Sequence, residues 1–262
     1  MLRFVVAASL LALACGLELG PLRGIGQSPI VGGEQAIIQD APWQVALQYD
    51  STGLGLYSLR CGGSIISPKV ILTAGHCTTG TRANRWRIRA GSSTHSSGGQ
   101  TVAGASVVTH ESYSDSKLDF DVGIITLESE LTINEVYTKL ATLPPLGLNV
   151  AAGEPAFVTG WGSTSSGGSI PANLRKVTIP VVDQDVCIAA YLGFNPVTSN
   201  MICAGLYGVG GADACQGDSG GPFIVNGLLV GITSWGNGCA LARYPGVWTR
   251  VPALVDWVQN HL

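Results

Sequence analysis

Charge is what this sequence has least of. Asp, Glu, Lys and Arg make up only 12% of its 262 residues, and the net charge is −3. A nucleic-acid-binding surface needs clustered Lys and Arg, so no nucleic-acid partner is expected. No Cys-x-x-Cys pair occurs, which argues against a zinc site. No Asn-x-Ser/Thr sequon occurs, so N-glycosylation is not expected. Beyond the N-terminal segment no apolar run is long enough to span a bilayer, so no membrane partner is expected either.

Glycine is abundant. The 36 glycines follow no repeat period, which excludes collagen. Many glycines, few charges and short Val/Ile/Leu runs suit an all-β protein with many turns. Strands are expected at Trp43–Leu47, at Phe157–Gly162 and at Val177–Val181. Cys61–Ile66 and Val70–Ala74, flanking a Ser67-Pro68-Lys69 turn, read as a hairpin. Arg85–Arg89 alternates charge and bulk, the mark of a half-exposed strand, and Asp121–Leu127 reads as a buried strand led by an aspartate. Asn226-Gly227 between Pro222–Val225 and Leu228–Trp235 is a strong hairpin signal. Val251, Leu254, Val255, Val258 and Leu262 fall on one face of a C-terminal helix. Residues 141–153, with Pro144-Pro145 and Gly153, read as a connector between two β halves.

The N-terminus reads as a secretory leader. Arg3 supplies a positive residue, Phe4–Ala14 is apolar and about eleven residues long, and small residues follow. Cleavage after Ala14 or after Gly16 is open, and residues 1–16 are taken as the leader. The expected product is secreted and extracellular. Seven cysteines are present, and removal of Cys15 with the leader leaves six, an even set for an oxidising compartment. Six cysteines allow fifteen pairings.

The most informative stretch is Asp213–Pro222, which reads Asp-Ala-Cys-Gln-Gly-Asp-Ser-Gly-Gly-Pro. A serine stands between an aspartate and two glycines, with a second aspartate six residues upstream. Glycines beside a nucleophile let backbone amides approach a reacting carbonyl. A serine hydroxyl is a weak nucleophile, and it needs a base and a third group to orient that base. Gly217–Gly221 also fits the G-x-S-x-G pattern of α/β-hydrolases, but that fold needs Asp and His after the serine. His261 is the single later histidine, and alternating helices are lacking.

Together with Thr73-Ala74-Gly75-His76-Cys77, Ile30-Val31-Gly32-Gly33 and Asp121 ahead of an apolar strand, this stretch resembles the chymotrypsin/trypsin family of serine proteases over about residues 30–262. The resemblance implies two packed antiparallel six-stranded β-barrels with a C-terminal helix, no cofactor and no metal. It implies Ser219 as nucleophile, His76 as base and then acid, and Asp121 as the group that orients His76. Gly217 and Ser219 would supply oxyanion-hole amides. Asp213 would lie at the base of the primary specificity pocket, with Ala214, Ser234, Trp235, Gly236, Gly238 and Gly246 around it. The implied specificity is Arg and Lys. Ala214 stands where many relatives have serine, which removes an acceptor for a lysine ammonium and favours Arg. The implied disulfides are Cys61–Cys77, Cys187–Cys203 and Cys215–Cys239.

By the same resemblance, residues 17–29 form an activation segment, and the freed amine of Ile30 pairs with Asp218 to order the loop of Ser219. The residue before Ile30 is Pro29, where relatives carry Lys or Arg, and the nearest basic site is Arg23. Cleavage there followed by dipeptide trimming, or a dedicated cut after Pro29, would reach Ile30. Gly75 stands where Ala is usual. Relatives that bind calcium use carboxylates in a loop that here, between Gly91 and His110, has neither Asp nor Glu, so calcium is not expected. Pro245 replaces the tyrosine of sodium-regulated relatives. His95, His110 and His261 read as solvated or structural, and Asp119 is the nearest rival to Asp121. The expected partners are protein and peptide substrates and protein inhibitors, with a monomeric enzyme. The short segment before Ile30 favours a digestive role over a cascade protease. The competing reading is an inactive homologue that acts as a secreted binding protein.

Overall fold

The computed structural model describes residues 30–262. The expected leader, the activation segment, Cys15, Arg23 and Pro29 lie outside these residues. A two-residue strand, β1 (Glu34–Gln35), leads into the first barrel. That barrel comprises β2 (Gln44–Tyr49), β3 (Ser58–Ser67), β4 (Val70–Thr73), β5 (Trp86–Ala90), β6 (Gln100–Thr109) and β7 (Gly123–Leu127). The ring closes in the order β2-β3-β4-β7-β6-β5, antiparallel throughout. β5 keeps its period of two: Trp86, Ile88 and Ala90 point inward and are buried, while Arg87 and Arg89 are half-buried. Arg85 belongs to the short turn ahead of it.

The second barrel comprises β8 (Pro155–Gly160), β9 (Arg175–Val182), β10 (Met201–Ala204), β11 (Pro222–Val225), β12 (Leu228–Trp235) and β13 (Gly246–Arg250). Its ring runs β8-β9-β10-β13-β12-β11 and returns to β8, with β1 appended to β9. The chain therefore forms two closed antiparallel six-stranded barrels. Asn226 and Gly227 turn the β11–β12 hairpin at φ of 50° and 78°, the left-handed pair that a two-residue hairpin loop requires.

Helix is sparse. α1 (Gly75–Thr78) is one turn after β4, α2 (Gln184–Ala190) precedes β10, and α3 (Val251–Gln259) ends the fold. Val251, Leu254, Val255 and Val258 of α3 are buried as their spacing predicts. Leu262 is a correction: the helix stops at Gln259 and Leu262 is exposed. α3 also ties the halves together. Leu254 and Val258 pack in one cluster with Leu47, Ile71 and Ile124 of the first barrel and Ile224, Leu229 and Ile232 of the second. Burial of one such side chain is worth about 1.5–3 kcal/mol, so this shared core holds the barrels in register. All three expected disulfides are present, one in the first barrel and two in the second. Among the described residues no helix is long and apolar enough to cross a membrane.

Candidate active site

His76 is carried by α1, directly after β4, and the Cys61–Cys77 disulfide staples that turn to β3. Its Nδ1 lies 2.8 Å from Oδ2 of Asp121, and its backbone N–H donates to Oδ1 at 2.7 Å. A carboxylate accepts only, so Nδ1 carries the proton and Nε2 is left to face the cleft. Asp121 is fully buried, whereas the His76 side chain keeps about a quarter of its surface exposed. Asp121 sits in the loop before β7 and not in the strand itself, because Val122 N–H donates to Phe120 O at 2.8 Å and turns the chain there. The second barrel completes its shell: Ser234 Oγ donates to Oδ2 at 2.5 Å, and Thr249 Oγ1 donates to the Asp121 carbonyl at 2.7 Å. Gly75 is explained by crowding. A Cβ there would meet the Tyr113 ring at 3.1 Å and Asp121 Oδ1 at 3.2 Å.

Ser219 comes from the second barrel, on the loop before β11. Its carbonyl accepts from Gly62 of β3 at 2.8 Å, which brings the loop against the first barrel. Gly220 packs so closely on Thr73 Oγ1 and the Gly62 carbonyl that a side chain has no room, and its φ of 78° also demands glycine. The Ser219 hydroxyl and the His76 ring are not hydrogen-bonded to each other in this structure. Such contacts commonly close only with substrate in place. Along residues 217–221, the N–H groups of Asp218, Gly220 and Gly221 donate to backbone carbonyls, while those of Gly217 and Ser219 donate to none. The φ of 100° at Gly217 is open to glycine alone, and the turn leaves these two amides without a backbone acceptor.

Asp213 lies at the wall of a cavity of about 190 Å³, lined also by Ala214, Ser219, Ser234, Trp235, Gly236, Gly238 and Gly246. Asp213 is buried, and Ala240 N–H donates to its Oδ2 at 3.0 Å, while Oδ1 has no partner. Burial raises its pKa to about 7, backbone donors oppose this, and the charge of Asp218 adds to it. Asp218 is buried beneath the loop, where Gly162 N–H donates to Oδ1 at 2.7 Å and Cys215 N–H to Oδ2 at 2.9 Å. Burial lifts it to about 6 against those two bonds. Ile30 is fully buried in the second-barrel core, and Asp213 N–H donates to Val31 O at 3.0 Å, so residues 30–33 lie along the pocket loop.

Three contributors were not foreseen. Thr249 reaches Asp121 across 128 residues, and Tyr191 Oη donates to Pro245 O at 2.7 Å while accepting from Asn237 N–H at 3.3 Å. Gln216 lines the cavity rim. The first two act through tertiary contacts with no local signature. Gln216, beside the serine loop, could have been found by its neighbours alone.

The trypsin family model matches residues 30–258. The chain is 44% identical to "Trypsin Blo t 3" of Blomia tropicalis over 233 residues, covering 88% of this chain and 85% of that protein. It is 41% identical to "Trypsin alpha-4" of Lucilia cuprina over 262 residues, covering 98% and 97%. It is 41% identical to "Trypsin beta" of Drosophila erecta over the full length of both.

Proposed function

Because the chain belongs to the trypsin family and is a trypsin-like serine endopeptidase, we propose that it hydrolyses peptide bonds after Arg, and less readily after Lys, with Ser219, His76 and Asp121 as its catalytic triad. The observation that carries the specificity is the buried, unpartnered Oδ1 of Asp213 in the cavity beside Ser219. A carboxylate so placed is costly until a cation reaches it. A guanidinium supplies the charge and donors that match both oxygens. An apolar side chain would leave it unpaired. Ala214 offers no hydroxyl to a shorter ammonium, which supports Arg over Lys.

The chemistry follows from the placement. His76 accepts the Ser219 proton as Oγ attacks the scissile carbonyl. Asp121 holds the ring and stabilises the imidazolium. The amides of Gly217 and Ser219 receive the oxyanion, each worth a few kcal/mol. His76 then protonates the leaving amine, and water repeats the sequence on the acyl-enzyme. Cleavage before Ile30 would create an α-amine for Asp218, a fully buried carboxylate that backbone N–H groups hold and no ion pair meets among the described residues. A secreted, digestive, monomeric enzyme, acting on proteins and held in check by protein inhibitors, is the setting we assign to it.

The test uses the chain processed to begin at Ile30 and matched chromogenic peptides ending in Arg, Lys, Phe and Ala. The expected order is Arg, then Lys, with Phe and Ala near background, and Ser219→Ala abolishes turnover. Cleavage after Phe would overturn the pocket and keep the protease. No turnover by folded protein would favour an inactive homologue.

A further inference from the structure

Asp119 stands two residues before Asp121 and has no part in the proposed chemistry, yet it is one of the most heavily used carboxylates in the structure. Its Oδ1 accepts three hydrogen bonds: from its neighbour Phe120 N–H at 2.9 Å, from Thr198 Oγ1 at 2.8 Å and from Asn200 Nδ2 at 3.0 Å. Thr198 and Asn200 lie just ahead of β10, so the last two bonds cross from the first barrel to the second. A further bond supports the same junction: Asn195 Nδ2 donates to Lys117 O at 2.9 Å.

The backbone around Asp119 has to be held. Leu118 and Phe120 have φ of 53° and 51°, a region that side-chain-bearing residues rarely adopt. Val122 N–H then folds back to Phe120 O, with Asp121 at the apex. The Phe120 ring stacks on His110 at 4.8 Å, and His110 stacks on Trp257 of α3 at 4.9 Å, which fixes the other side. Relaxation of Leu118–Phe120 toward ordinary φ would swing the peptide that carries Asp121.

We infer that Asp119 is a positioning residue: its side-chain oxygen, clamped by Thr198 and Asn200 of the second barrel, holds the strained turn that aims Asp121 at His76. The platform is continuous with the other anchors of Asp121. Arg250 N–H donates to Asn200 O at 2.7 Å, and the neighbouring Thr249 holds the Asp121 carbonyl. The clamp works through an acceptor and not through charge, because all three bonds end on Oδ1. An asparagine oxygen can take them all.

This inference rests on the triad reading above, and its test separates the two. The chain processed to begin at Ile30 is compared with its Asp119→Ala, Asp119→Asn and Thr198→Val variants. Asp119→Ala is expected to lower kcat roughly tenfold, as small misplacements of a reacting group do, with KM changed less than twofold. Asp119→Asn recovers most of kcat. Thr198→Val, which removes one donor, shows a smaller loss of the same kind and stands in if Asp119→Ala does not fold. Combined with Asp119→Ala it adds little, because both act on one clamp. The low-field NMR resonance of the His76 Nδ1 proton reads the same geometry without turnover. It should weaken or shift in Asp119→Ala and return in Asp119→Asn, even if no peptide is cleaved. A folded Asp119→Ala with unchanged kcat and unchanged resonance overturns the inference. So does an Asn variant no better than Ala, which would make charge the operative property, or a rise in KM alone, which would make the loop a substrate contact. A wild-type chain that cleaves nothing would sink the protease reading, with the resonance still deciding the clamp.

Discussion

Asp213 and Asp218 are five residues apart and both buried, Asp213 held by a backbone N–H on Oδ2 and Asp218 by one on each oxygen. In each, burial outweighs those donors and raises the pKa, to about 7 and about 6. A buried carboxylate raised in this way favours its protonated form until a cation arrives. For Asp213 the cation belongs to the ligand, and this has a measurable sign. Above about pH 7 the carboxylate is ionised and an aryl amidine binds at full strength. As pH falls through about 7, the proton competes and affinity drops, approaching tenfold per pH unit. Calorimetric titration between pH 5 and 8.5 checks this. Asp213→Asn should bind weakly at every pH with no such slope. A wild-type affinity that stays flat from pH 5 to 8.5 would show that Asp213 does not meet the amidine.

At the scale of elements, the pocket is a slot between the loop from Asp213 to Ser219 and the paired ends of β12 and β13, and its two glycines differ. A Cβ on Gly246 would lie 2.5 Å from Asp213 Oδ1 and 2.6 Å from the Trp248 ring, so the fold itself has no space for one. A Cβ on Gly236 meets nothing nearer than Gly238 O at 3.4 Å and would occupy the slot. Gly236→Val is therefore expected to keep its melting temperature within about 2 °C while kcat/KM for Arg peptides falls between about tenfold and two-hundredfold, the usual range for a mismatch of one or a few carbons. Gly246→Val should lower both thermal stability and activity. Equal losses of stability in the two variants would contradict the distinction. This is also where sequence reasoning reached its limit. The glycines, Asp213, Ser219, His76 and Asp121 were legible because each sits in a short local motif. The Asn226-Gly227 hairpin was legible because its turn type demands those residues. β10 and β13 were not marked out, since β10 is four residues long and closure of each barrel depends on pairings such as β2 with β5 that leave no local trace. α2 did carry a signal that went unread: Asp183 accepts from Asp185 N–H and Val186 N–H as its cap.

For the whole molecule, the question is what links the N-terminal residues of the domain to the catalytic loop. Ile30 is fully buried among second-barrel residues such as Val158, Phe223 and Trp248, and among the described residues no disulfide joins the barrels. With residues still attached before Ile30, Asp218 bears its burial without an α-amine. Its folded pKa, about 6, lies above the unfolded value near 3.9, so the folded chain binds the extra proton and loses stability as pH rises from about 4 to about 6. A chain cut before Ile30 supplies an ammonium and removes that loss. His95 and His110, lowered by burial, destabilise both forms alike at acid pH and cancel in the difference. The cut form should therefore gain only about half as much over the uncut form at pH 5 as at pH 7.5. At pH 7.5 it should gain on the order of 2–3 kcal/mol, or roughly 5–10 °C for a domain of this size. Scanning calorimetry of the two forms across that range measures the gain. Asp218→Asn should make the difference independent of pH, because no carboxylate remains for the new amine to neutralise. If the wild-type difference were already the same at pH 5 and 7.5, burial of Ile30 alone, and not its charge meeting Asp218, would be what couples the N-terminus to the loop of Ser219.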